Sequence, residues 1–142
     1  MSTFPRRAAL SLVLLPFAAV AQDDALAAAI RAEIGDAAPQ EGGITLRVPP
    51  VAENGGQVPV TVLVDSPQTT ARHATAIHLF ATRNPTPGIA SFKLGPALAR
   101  AEIQTRIRIA ENQVLVVVAR MNDGSVHRAT TEIRVSTGGC LT

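Results

Sequence analysis

The sequence is poor in cysteine and in aromatic residues, with one cysteine, no tryptophan, no tyrosine and four phenylalanines. A single cysteine cannot form a disulfide within the chain, so its thiol is either free or paired with another molecule. The shortage of aromatic rings argues against a nucleic-acid ligand, because single-stranded binders stack bases on such rings. We also expect no metal site, since His73, His78 and His127 lack the short spacing of zinc ligands and there is no second cysteine.

A long apolar run is missing as well. The N-terminal run from Ala8 to Val20 has 13 residues, whereas a membrane-spanning helix needs about 20. It follows Arg6-Arg7 and leads into Ala19-Val20-Ala21, the small-x-small pattern of a signal peptidase site. The sequence therefore predicts a cleaved signal peptide over residues 1–21, a periplasmic mature protein that begins near Gln22, and no membrane span. The paired arginines resemble a twin-arginine signal, but ordinary secretory signals also begin with basic residues, so both export routes stay open.

The mature chain has no excess of charge of either sign. Two of the 13 basic residues lie in the predicted signal, which leaves 11 against 11 acidic residues, and the electrostatic argument for nucleic acid disappears. The charges are unevenly distributed, because residues 22–70 carry a net charge of −5 and residues 71–142 one of +5. This polarity fits either partner docking or ordinary solvation of strands.

The periodicity of apolar residues predicts one helix followed by strands. Leu26, Ile30 and Ile34 recur every four residues, Asp23-Asp24 can cap this helix and Gly35 can end it. The segment 37–43, rich in Ala, Pro and Gly, is interpreted as a linker, so residues 22–43 form an N-terminal helix and linker. Beyond it the apolar period becomes two, and seven strands are predicted near residues 44–48, 58–64, 75–82, 89–94, 101–109, 114–119 and 126–136.

Seven short strands after one helix indicate an all-β fold. We expect an immunoglobulin-like antiparallel β-sandwich of about seven strands over residues 44–136, with a short N-terminal helix. The inter-sheet disulfide and the core tryptophan of true immunoglobulin domains are missing, so the sequence indicates the fold class more firmly than the topology.

Cys140 is the candidate functional residue. It lies on a C-terminal arm, residues 137–142, and Gly138-Gly139 before it would let the backbone enter a narrow site. Five extended residues beyond Val135 reach about 17 Å. A frayed terminus without function is the default for a chain end, but an unused thiol is a liability in an oxidising compartment. We therefore interpret Cys140 as a covalent attachment point on a flexible arm.

No pattern of residues indicates catalysis by this chain itself. An exposed thiol with a pKa near 8.5 is only a few per cent thiolate at neutral pH, and no His, Lys or Arg lies within five residues of Cys140 to activate it. Asp65-Ser66-Pro67 is typical of a turn rather than of a hydrolytic pair. The row Arg100, Arg106 and Arg108 is expected to be a solvated strand face, with anion attraction or partner contact as a lesser alternative. No catalytic residue and no cofactor is predicted.

Short segments, each unspecific alone, occur together in a characteristic order along the sandwich and the arm. They are Val58-Pro59-Val60, Val64-Asp65-Ser66-Pro67, Ile77-His78-Leu79-Phe80, Asn84-Pro85-Thr86-Pro87, Thr105-Arg106-Ile107-Arg108-Ile109, Asp123-Gly124-Ser125 and Gly138-Gly139-Cys140. In this order they resemble the SoxY family, the carrier subunit of the periplasmic thiosulfate-oxidising system. The resemblance implies that the terminal cysteine holds thiosulfate-derived sulfur. It also implies a haem-containing partner that attaches thiosulfate oxidatively, further enzymes that release sulfate and oxidise the remaining sulfur, and a heterodimer with a SoxZ-like β-sandwich subunit.

The end of the chain departs from the family tail, which reads Gly-Gly-Cys-Gly-Gly. Leu141-Thr142 replaces the last two glycines, which predicts a narrower set of enzymes that can process the bound sulfur. A protein of another class also fits the sequence, namely a structural or adhesive immunoglobulin-like module whose Cys140 forms an intermolecular disulfide. A thiol enzyme has the least support, because the sequence shows no base or resolving cysteine for the thiol.

Overall fold

The computed structural model describes residues 17–136. They contain one helix, α1 (Phe17–Ile34), and the strands β1 (Gln40–Glu41), β2 (Ile44–Arg47), β3 (Val51–Ala52), β4 (Val58–Val64), β5 (Ala74–Ala81), β6 (Gly88–Lys93), β7 (Glu102–Ile107), β8 (Gln113–Met121) and β9 (Val126–Val135). All seven predicted strands are confirmed, with bounds that differ by at most two residues. β1 and β3 were not predicted.

The strands form two sheets that pack face to face. The larger sheet has the order β1-β9-β8-β5-β6, with β3 also paired to β9, and the smaller sheet has the order β2-β4-β7. The long strands pair in antiparallel fashion, whereas the two-residue strands β1 and β3 pair with β9 in parallel. The predicted all-β sandwich with one N-terminal helix is confirmed.

The main core lies between the sheets and follows from the period of two. On β4, Val58, Val60, Val62 and Val64 are buried, and the residues between them face outward. The same alternation holds from residue 103 to residue 109, where the isoleucines are buried and Arg106 and Arg108 are exposed. Burial of one such side chain stabilises the fold by about 1.5 to 3 kcal/mol, so these strands fix which face of the smaller sheet meets solvent.

Helix α1 covers the outer face of the larger sheet. Ile34, with Leu26 and Ile30 beside it, packs against a second cluster that includes Phe80, Val116 and Val118. This packing explains the continuous apolar run of β8, because Leu115 and Val117 face the main core while their neighbours face the helix. The predicted apolar face of the helix is confirmed, as is its end at Gly35, whose φ of 65° suits glycine.

The N-terminal region differs from its prediction in two respects. The helix begins at Phe17, so the prediction that Asp23-Asp24 cap it is wrong for the full chain; the alanine-rich residues before them are good helix formers and continue the helix upstream. The segment 37–43 is more ordered than a linker, because it contains β1 and because Gly42 N–H donates to the Arg128 carbonyl at 3.1 Å. Over residues 17–136, no helix has the length and apolar character needed to cross a membrane.

Candidate functional site

Cys140, Gly138 and Gly139 lie outside the described residues, so the role given to them stays a prediction. The structure describes the place from which the arm leaves the sandwich. β9 ends at Val135, and Ser136 is the last described residue. We call this edge of the sandwich the arm end. Four extended residues carry the chain at most about 14 Å from Ser136 to Cys140.

Backbone hydrogen bonds hold the chain firmly up to the arm end. Ser136 N–H donates to the Ala52 carbonyl of β3 at 2.9 Å, and Val135 N–H donates to the Asn112 side-chain oxygen at 2.8 Å. The two-residue strand β3 pairs with the last two residues of β9 and so holds the end of that strand in place. The arm leaves from a fixed position and not from a frayed strand.

Gly55 fills the space between the arm end and the smaller sheet. Its carbonyl accepts a hydrogen bond from Ile109 N–H at 2.7 Å. A methyl group on Gly55 would lie 2.5 Å from the Ile109 carbonyl oxygen and 3.0 Å from a methyl carbon of Val135. The turn Asn54-Gly55-Gly56 is thus a packing element, in which a side chain at the central position would push Val135 and Ile109 apart.

A network of amides supports the same end of the sandwich. Gln113 is buried, with 6% of its surface exposed. Its amide nitrogen donates to the Asn84 side-chain oxygen at 2.8 Å and to the Glu111 carbonyl at 3.1 Å, and its oxygen accepts from Arg83 N–H at 2.7 Å. Asn84 in turn donates to the Arg108 carbonyl at 2.8 Å. The Asn84-Pro85-Thr86-Pro87 segment is therefore structural, because it joins two loops at the arm end.

The outer face of the smaller sheet carries three exposed arginines towards the arm end, Arg47, Arg106 and Arg108. We call this surface the basic face. Glu102 is the one acidic side chain on the described strands β2, β4 and β7, and Arg100 binds it at 3.3 Å at the opposite end of β7. Arg100, Arg106 and Arg108 are all exposed, as predicted, but only Arg106 lies within a strand, because Arg100 precedes β7 and Arg108 follows it.

The three histidines lie apart. His78 is buried beneath helix α1, where its Nδ1 lies 2.8 Å from the Ser91 hydroxyl and 3.5 Å from a Glu33 carboxylate oxygen. Burial lowers the pKa of His78, the Glu33 carboxylate opposes this by raising it, and Arg120 lowers it further. Among residues 17–136, no group of three or more His, Cys, Asp or Glu side chains is placed to hold a metal ion.

Sequence reasoning missed the residues that build the arm end. Asn84 and Gln113 are 29 residues apart and meet only in the folded chain. The only sequence signal for the burial of Gln113 is its position directly before the apolar run of β8. Ala52 and Asn112 hold β9 through single hydrogen bonds that no periodicity reveals.

The chain matches the family model described as sulfur oxidation protein SoxY over residues 30–140. Among solved structures, it is 36% identical to the sulfur carrier protein SoxY from Chlorobium limicola f thiosulfatophilum, with a TM-score of 0.68. That alignment covers 80% of this chain and 98% of the other. No curated protein sequence matches the chain significantly.

Two further solved structures share the fold at much lower identity. A superoxide reductase from Ignicoccus hospitalis is 18% identical, with a TM-score of 0.59 and coverage of 67% of this chain and 81% of the other. A superoxide reductase from Nanoarchaeum equitans is 9% identical, with a TM-score of 0.55 and coverage of 68% and 98%. At such identities the likeness shows a common sandwich and nothing about chemistry.

Proposed function

Because the chain belongs to the SoxY family of sulfur oxidation proteins, we propose that it is a sulfur carrier that holds sulfur covalently on Cys140. The observation that carries the proposal is the extent of the match. The family model ends at residue 140, so the likeness includes the arm up to the cysteine, and nearly the whole length of the Chlorobium carrier is covered.

The geometry of the arm end supports this role. A carrier needs a reactive group that reaches into a partner and a base that stays fixed while it does so. The hydrogen bonds to Ala52 and Asn112 fix β9 up to Ser136, and the four residues from there to Cys140 can span at most about 14 Å. That length exceeds the depth of one layer of side chains, so the thiol can enter a partner's active site while the sandwich stays outside.

The proposed chemistry takes place on the sulfur of Cys140. The thiol and thiosulfate join through a new sulfur–sulfur bond, which releases one proton and two electrons, and a haem-containing partner accepts these electrons. Water then cleaves the terminal sulfur–sulfur bond, so sulfate leaves with two protons and a persulfide anion remains on the cysteine. Other enzymes of the system oxidise that outer sulfur. The chain supplies the attachment atom and its position, and the partners supply the redox and hydrolytic groups.

The same proposal places the protein in the periplasm as a heterodimer. The predicted signal peptide, residues 1–21, is the basis for export, by the twin-arginine or the general secretory route. The family membership supports partners from the same sulfur-oxidising system, and we propose a SoxZ-like β-sandwich subunit as the permanent one. Co-expression followed by purification tests this pairing, and a monomer that ignores such a subunit would contradict it.

The decisive experiment loads the carrier enzymatically. The mature chain is incubated with a SoxZ-like subunit, thiosulfate and the haem-containing oxidising enzyme, and mass spectrometry then locates the adduct. We expect a thiosulfonate on Cys140 in the native chain and no adduct in Cys140→Ser. A native chain that stays unmodified, or that accumulates as a stable disulfide-linked homodimer, would refute the carrier function and favour a structural module.

A further inference from the structure

The basic face lies beside the arm end. The Gly55 carbonyl accepts a hydrogen bond from Ile109 N–H, next to Arg108, and a methyl group on Gly55 would lie 3.0 Å from Val135, next to the root of the arm. Val135 belongs to the larger sheet and Ile109 follows β7 of the smaller sheet, and stacked sheets lie about 10 Å apart. The reach of about 14 Å from Ser136 to Cys140 is therefore long enough for the arm to fold back onto this face.

The basic face is also suited to an anion. Arg106 lies near the end of β7 and Arg108 just beyond it, both exposed in the alternation that continues to residue 109, and Arg106 is oriented by a 3.3 Å hydrogen bond to the Gln57 side-chain oxygen. A groove of about 310 Å³ runs beside Arg106, and Pro59, Thr61 and Gln104 contribute to its walls. The one acidic residue on the strands of this sheet, Glu102, already binds Arg100.

The opposite surface at the arm end is less suited. A cavity of about 410 Å³ lies there on the larger sheet and is lined by Arg83 and Arg134, but also by Asp23 and Glu132. Its charges balance, so it offers an anion no net attraction. Arg134 nevertheless lies only two residues before Ser136, which makes it a useful comparison for the basic face.

We propose that the basic face holds the loaded arm, with Arg106 and Arg108 binding the sulfonate group that Cys140 carries. This inference rests on the proposed function, because only a carrier acquires such a group. The free arm gains a negative charge when thiosulfate is attached, and Arg guanidinium groups bind oxyanions through paired hydrogen bonds. The sulfonate is then retained at the surface of the sandwich until a partner enzyme takes the arm.

The test loads the arm without any partner enzyme. The Cys140 thiolate attacks a central sulfur of tetrathionate, a bond forms between the two sulfurs, the central sulfur–sulfur bond breaks, and thiosulfate leaves with the bonding electrons. The thiosulfonate product is compared with a carbamidomethyl adduct made with iodoacetamide, which is neutral. Nitrogen-15 NMR of the arginine side chains should show shifts of the Arg106 and Arg108 Nε–H signals in the thiosulfonate form alone. These shifts should vanish in 1 M salt, where the Debye length is about 3 Å.

A kinetic comparison gives a second readout. The ratio of the tetrathionate rate to the iodoacetamide rate cancels the thiolate fraction, because both reagents react with the thiolate. The double variant Arg106→Gln/Arg108→Gln should lower this ratio about threefold at 0.1 M salt, as Coulomb's law predicts for a dianion roughly 10 Å from two screened cations. Arg134→Gln removes a single cation, so by the same law it should lower the ratio by less than twofold.

Three outcomes would overturn the inference: no arginine shift on loading, the same shift with the neutral adduct, or an equal loss of the ratio in Arg134→Gln. A failure of the proposed function is seen separately, because it shows as a missing enzymatic adduct on Cys140 even when tetrathionate loading and the arginine shifts occur as expected.

Discussion

Replacement of Gln113 by leucine should destabilise the arm end strongly. The substitution keeps the approximate volume but removes three hydrogen bonds, those to Asn84, to the Glu111 carbonyl and from Arg83 N–H. Each bond contributes about 1 kcal/mol net, and a buried polar group that loses its partner costs about 1 to 3 kcal/mol. Some of the groups left behind can be reached by water, so we expect a loss of about 3 kcal/mol.

This loss can be measured by thermal unfolding of the mature chain. For a domain of this size, 1 kcal/mol corresponds to roughly 4 °C, so Tm should fall by about 12 °C. Gln104→Leu is the matched control, because Gln104 is exposed and makes one side-chain bond, to Glu102 at 2.9 Å; its Tm should change by less than about 2 °C. If the two variants lose the same stability, the amide network does not hold the arm end together and our reasoning about Asn84 and Gln113 is wrong.

Three further predictions concern the arm and the helix. Cys140→Ser should abolish sulfur loading while changing the free energy of unfolding by less than about 0.5 kcal/mol, and a large fall in Tm would mean that the thiol is buried. His78 has a pKa below its ordinary value of 6.5, so it contributes stability that is complete above pH 6.5 and is lost as the pH falls through the lowered pKa. Urea unfolding between pH 7 and pH 5 should show this loss of stability, and the loss should be smaller in His78→Gln. A free energy of unfolding that stays constant over this pH range would contradict the prediction. Replacement of Leu141-Thr142 by Gly-Gly should raise turnover with enzymes from a system whose carrier has the all-glycine tail, and equal rates with both tails would show that this pair is irrelevant.

The long strands could be predicted from sequence because each separates a core from solvent. Valine at every second position of β4 indicates which face of the strand packs against the other sheet, and the isoleucines in and after β7 do the same. Such a period arises because one face of the strand is buried, so it can be recognised without knowing which strands pair with it.

The features of the fold and the site that the sequence does not predict depend on contacts between distant parts of the chain. β1 is only Gln40–Glu41, a polar pair with no period, and it becomes a strand because β9 offers it an edge. The burial of His78 depends on helix α1, which places Glu33 above it. The arm stays a prediction from one cysteine and two glycines, which suggest a chemistry but say nothing of its surroundings. The position of Arg106 and Arg108 relative to the root of the arm required the fold.

The pairing of β9 has a mechanical consequence. This strand is bonded along one edge to β8 and at both ends of its other edge to β1 and β3. Under the carrier function that we propose, a partner that draws the arm into its active site would pull along the axis of β9, and interstrand hydrogen bonds lie across that axis. The pull therefore loads all of these bonds at once, in shear, instead of peeling them apart one at a time. β9 therefore resists a lengthwise pull on the arm through its pairing with β8, β1 and β3 together.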